Sequence, residues 1–155
     1  MIYGLTYLGV IHTLISLVAV AAALTAFVRH KNIDPASTLG KVYIWTTVLT
    51  CLTGFGIYQH GGFGKPHALG VITLVVLALA WRIRSPRVAI VSYSLTFLFH
   101  MIPAVTETTT RLPLGAPLLP NAEAPELKAI TGVLFLLFLV GVFLQLRRLD
   151  KRART

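Results

Sequence analysis

The chain has 155 residues, 55% of them hydrophobic and 12% charged, with a formal net charge of +9. Soluble domains carry about 25% charged residues, so this composition does not cover a water-facing surface and calls for a bilayer as solvent. The 14 Lys and Arg residues punctuate apolar runs instead of forming one patch, which argues against nucleic acid as their partner.

The first apolar run, residues 2–28, is long enough at about 1.5 Å per residue to cross a core of roughly 30 Å. It has no basic stretch before it and no small-residue cleavage site after it, so it reads as a retained span and not a signal peptide. Asp34, Pro35 and Ser37 then mark a turn and a helix start. A second span is expected over 42–59, ending in Gly61-Gly62-Phe63-Gly64. Pro66 opens a third over 66–82, short for a crossing and completed by Arg82 reaching to the interface.

A basic turn, Arg82 to Arg87, leads into a fourth span over 88–106, and a fifth covers 126–146. Between these two, Pro113, Pro117, Pro120 and Pro125 predict an extended connection. Leu112, Leu114, Leu118 and Leu119 give it the apolar character of a segment folded back over the bundle. The fold class is therefore all-α: a polytopic transmembrane helical bundle of five spans in a single integral membrane domain, 1–155.

Orientation follows from the connections. Residues 29–41, 82–87 and 147–155 hold 11 of the 14 Lys and Arg residues, against Lys65, Arg111 and Lys128 on the other side. The positive-inside rule then puts the N-terminus outside and the C-terminus in the cytoplasm, with a bacterial cytoplasmic membrane as the expected location.

Two helices carry polar stripes. Ser92, Thr96, His100, Pro103 and Glu107 recur every three or four residues and fall within about an 80° arc of the fourth span. Such a stripe must point into the bundle, because ionisable groups facing lipid are costly. Gly9, His12, Ser16, Ala19 and Ala23 form the matching stripe on the first span, where small residues favour close helix contact. The opposite chain directions put His12 and His100 at a similar depth in the outer half, with His60 and His67 nearby. Thr46, Thr50 and Thr53 add a third stripe, with Cys51 beside it.

Imidazoles and a carboxylate converging from different helices suit zinc or iron, so His12, His67, His100 and Glu107 form a candidate metal set. His12 and His100 are likewise candidate ligands of a single haem b. Thr13, Ser16, Thr96 and Thr106 are available to bond the second ring nitrogen of each histidine. Against this stands a structural polar network, in which Ser and Thr bond their own helix and Glu107 pairs with Arg111. A proton or substrate path is the third option. The lone Cys51 gives no disulfide and no cysteine metal motif, and no nucleophile elbow is present, so no catalytic residue is readable.

His12, the sequence Gly40-Lys41-Val42-Tyr43, and Pro66-His67-Ala68-Leu69-Gly70-Val71-Ile72-Thr73-Leu74 resemble an uncharacterised family of small bacterial membrane proteins. The likeness covers roughly residues 5–80. That family has a histidine four residues before the glycine matching Gly40, where this chain has Ala36, so no cytoplasmic-side histidine role carries over. The resemblance implies a membrane bundle with outer histidines and no particular activity. The expected function is a membrane protein with an outer-leaflet His/Glu metal or haem site, redox or metal-dependent. The alternative is a non-enzymatic accessory or assembly subunit, with the bilayer, other membrane proteins or further copies of itself as partners.

Overall fold

The computed structural model describes residues 6–58 and 62–154, so His60 lies outside the described residues. These residues form five α-helices and no strand. The helices are α1 (Tyr7–His30), α2 (Thr38–Gly54), α3 (Lys65–Arg82), α4 (Pro86–Arg111) and α5 (Pro125–Arg152).

Each helix starts where its sequence supplies a start signal. The Thr6 hydroxyl accepts the Gly9 N–H at 3.0 Å to begin α1. The Ser37 hydroxyl does the same for the Gly40 N–H, also at 3.0 Å, so α2 begins four residues ahead of its apolar run. Pro66, Pro86 and Pro125 occupy the first two positions of α3, α4 and α5, where a missing N–H costs nothing. α1 stops at Lys31, which takes a left-handed φ of 67° and sends its N–H back to the Phe27 carbonyl.

Four of these helices, α1, α3, α4 and α5, are long and apolar enough to cross a membrane. The helix that falls short is α2 and not α3: its 17 residues rise only about 25 Å. Ser37 sets its start, and after Gly54 the chain turns through Phe55 and Gly56, so the expected run to residue 59 is not helical throughout.

α1 packs on α2, α2 on α3, α3 on α4, and α4 returns to α1, closing a four-helix ring. α5 touches only α4. Within the ring, Ala19, Ala22, Ala23 and Ala26 of α1 are buried and allow close approach. They share a core with Tyr43, Leu77, Ala80 and Tyr93. Tyr43 is fully enclosed, and its hydroxyl meets Thr96 Oγ1 at 2.8 Å. The Thr96 hydroxyl donates to the Tyr93 carbonyl, so Tyr43 is the donor of that pair.

α5 is held from the side by a Gln145–Ser94 hydrogen bond of 3.1 Å and, at one end of the bundle, by Arg87 and Asp150 at 2.8 Å. Among its residues only Leu127 is buried. A cleft of about 600 Å³ lies where α5 faces α1 and α4, walled by Phe27, Phe97, Leu137 and Phe138.

The connection from α4 to α5 is pinned by its backbone. Leu118 and Leu119 donate to the carbonyls of Leu112 and Thr109, and Lys65 holds Glu123 at 3.0 Å. That hydrogen bond, with the positive charge behind it, keeps the Glu123 carboxyl below its usual range. The expected apolar lid does not form, since Leu112, Leu114 and Leu118 point outward.

Candidate functional site

The starts of α1 and α3 and the ends of α2 and α4 meet at one end of the ring around a cavity of about 380 Å³. His12, His67, His100 and Glu107 all line it, as do Arg111, Cys51, Phe55 and Phe99. Pro103 lies on the same wall and interrupts the hydrogen-bond ladder of α4.

His12 is half-buried on α1, and its Nδ1 lies 3.1 Å from Thr53 Oγ1. The Thr53 hydroxyl spends its hydrogen on the carbonyls of Leu49 and Thr50. It therefore accepts from His12, which makes Nδ1 the protonated nitrogen and leaves the lone pair on Nε2. The tautomer is thus assigned from the hydrogen-bond network. His12 lies over Gly54, where an added Cβ would come within 3.2 Å of the ring.

His100 is buried on α4, and its Nε2 lies 3.1 Å from Thr47 Oγ1. Thr47 gives its own hydrogen to the Tyr43 carbonyl at 2.7 Å, so His100 donates from Nε2 and keeps its lone pair on Nδ1. The Tyr43 ring sits edge-on to it at 6.0 Å. Thr47 and Thr53 are six residues apart, about 9 Å along the axis of α2, so the two histidines bond to different turns of that helix.

His67 is buried in the first turn of α3 between the rings of Tyr58 and Phe63, at 5.3 and 5.2 Å. Gly64 caps α3 but has no side chain, so His67 reaches back and accepts the Gly64 N–H on Nδ1 at 3.1 Å. Its hydrogen consequently lies on Nε2. Glu107 is exposed near the end of α4, where it pairs with Arg111 one turn on.

These bonds give the four residues of the expected metal set different roles. Among the described residues, no three His, Cys, Asp or Glu side chains come together closely enough to hold a metal ion. His67 presents a hydrogen where a metal needs a lone pair, and Glu107 is taken by Arg111. The histidines' partners are also not those expected. Thr13, Ser16, Thr96 and Thr106 donate to carbonyls of their own helix, while Thr47 and Thr53 arrive from α2. Thr53 belonged to a visible stripe. Thr47 did not, although its place in the series Tyr43, Thr47, Thr50, Cys51 and Gly54 follows the same helical spacing.

Buried Thr50 of α2, His67 and Thr73 of α3 and His100 of α4 thus line a mainly apolar cavity within a helical membrane protein. No family model matches the chain, and no solved structure matches it. It is similar to the p-hydroxybenzoic acid efflux pump subunit AaeB of Enterobacter cloacae subsp. cloacae, 30% identical over 112 residues. That match covers 70% of this chain but 15% of the other protein, so the chain spans a small part of its relative's length.

Proposed function

We propose that the protein is a membrane-embedded binding subunit, which takes a small molecule into the histidine-lined cavity and works within a larger membrane complex. The observation that carries this reading is the cavity itself, whose three imidazoles are each fixed in one tautomer and offer both donor and acceptor nitrogens. Pockets of this kind, apolar with a few placed polar groups, are the usual form of a small-molecule site. The unpacked flank of α5 supplies the surface for lipid or a partner subunit. The similarity to one stretch of an efflux pump subunit supports both parts of the reading and makes p-hydroxybenzoic acid the first molecule to try.

The test is equilibrium binding of 4-hydroxybenzoate and of neutral aromatic analogues to full-length protein in lipid nanodiscs, together with cross-linking in the native membrane. Saturable binding lost on filling the cavity by Gly54→Leu, with a recurrent cross-linked membrane partner, is the expected result. Absence of saturable binding by any of them would remove this function.

A second reading keeps the metal or haem. It is favoured by the threonine bonds to His12 and His100, which leave an unprotonated nitrogen on each, as a ligand requires. Two imidazoles are enough for a six-coordinate haem b iron, and a zinc or iron ion would need further ligands. Optical spectra and metal analysis of gently purified protein decide it: a Soret band lost in His100→Ala selects this reading.

The proposed topology is five crossings with the histidine end outside, in a bacterial cytoplasmic membrane, as the charge distribution requires. Reporters active only outside the cytoplasm should then work when fused after Gly62 or Gly115. Reporters active only inside should work after Asp34 or Arg84. Cytoplasmic activity at Gly115 would reverse the assignment.

A further inference from the structure

Among the described residues, one buried side-chain nitrogen or oxygen has no hydrogen-bond partner: Nε2 of His67. An imidazole that accepts the Gly64 N–H on Nδ1 carries its hydrogen on Nε2, so the unpartnered group is a donor. His67 is 7% exposed and stands in the cavity wall. Tyr58 and Phe63 stack on its two faces, and both expose most of their surface on their other sides. Nε2 is closed to water, and the cavity whose wall His67 forms is the space beside it that can hold a partner.

The place of that donor states what its partner should be. His67 sits at the head of α3, an 18-residue helix, where the positive end of the helix dipole favours an anionic oxygen. The carboxylate already on the wall, Glu107, is bound to Arg111 and makes no bond to His67. Phe55, Leu69 and Phe99 add apolar surface to the wall.

We infer that the cavity takes a small organic carboxylate, seated with one oxygen accepting from His67 Nε2–H at the head of α3 and its apolar body against Phe55 and Phe99. This rests on the small-molecule reading above and adds the ligand's class and its anchor. His67 is then a binding residue, not a metal ligand, and its tautomer gives the site its preference for an acceptor.

The experiment uses full-length protein in nanodiscs, with benzoate as the acidic probe and benzyl alcohol as its neutral counterpart. Benzoate affinity should fall at least tenfold in His67→Phe, a change that keeps the ring stack, while benzyl alcohol binding changes less than twofold. Gln at this position, which can place an N–H near the lost Nε2, should recover part of the benzoate affinity. If benzoate binds His67→Phe as well as it binds the unaltered protein, the anchor is wrong and the small-molecule reading survives. If neither probe binds the unaltered protein, both fall. Should the variant not fold, nitrogen-15 spectra of histidine-labelled unaltered protein decide the matter. His67 should show its hydrogen on Nε2 and that nitrogen should shift on adding benzoate; no shift, or a hydrogen on Nδ1, overturns the proposal.

Discussion

Gly40→Ala should destabilise the protein by about 3 kcal/mol or more, the upper end of what overpacking costs, or prevent it from folding. A Cβ at this position would lie 1.8 Å from the Asp34 carbonyl oxygen and 2.6 Å from the Asp34 carbonyl carbon. Both are backbone atoms, so no side chain can swing aside. The turn cannot withdraw either. The Asp34 carbonyl accepts from the Ser37 backbone N–H at 3.0 Å and from the Ser37 hydroxyl at 2.7 Å. Ser37 in turn caps α2 through the Gly40 N–H. One added methyl therefore opposes the turn, the cap and the first turn of α2 together. Gly132→Ala on α5 is the control, because nothing lies within 4 Å of its added Cβ. That change should leave stability unaltered or raise it by up to about 1 kcal/mol, as expected for replacing glycine within a helix. Unfolding in mixed micelles, followed by circular dichroism, separates the two. Similar midpoints for both variants would show that the 34–40 turn does not pack as described.

Thr47→Val should cost about 1–3 kcal/mol, the penalty of a buried donor left without its acceptor. Valine matches threonine in shape, so packing is preserved while His100 Nε2–H loses the only acceptor it has on α2. Thr47 is fully buried. The loss should also release the tautomer. Nitrogen-15 spectra of labelled His100 should show hydrogen on Nε2 in the unaltered protein and a mixture of tautomers in the variant. Thr46→Val, one position away, is the comparison. Its hydroxyl bonds only to the Val42 and Tyr43 carbonyls of its own helix, so its removal should change neither stability by more than about 0.5 kcal/mol nor the His100 spectrum. If both variants leave the His100 tautomer unchanged, the Thr47 bond does not set it.

Much of the molecule was determined by the order of its residues alone. Composition and long apolar runs required membrane helices, because an exposed peptide group has no partner in lipid. Ser37, Pro66, Pro86 and Pro125 fixed where helices start, since caps and first-turn prolines act within a few residues. The stripes carrying His12 and His100 were legible because side chains three and four apart share a face. What periodicity cannot supply is how one helix is rotated and shifted against the next. That choice depends on packing between residues far apart in the chain, such as the alanines of α1 and Tyr43 of α2. It decided that α2 supplies the acceptors Thr47 and Thr53, about 9 Å apart along its axis, one for each histidine. It left α5 outside the ring, attached by Ser94–Gln145 and Arg87–Asp150, although its sequence is as apolar as that of its neighbours. Above all it assigned each imidazole its hydrogen, because the proton's place follows from which nitrogen meets a carbonyl-bound hydroxyl or a backbone N–H. His12 and His100 donate to threonines 41 and 53 residues away, which fixes their tautomers, and the tautomer of His67 is fixed by the N–H of a glycine three residues back that the helix start brings within reach.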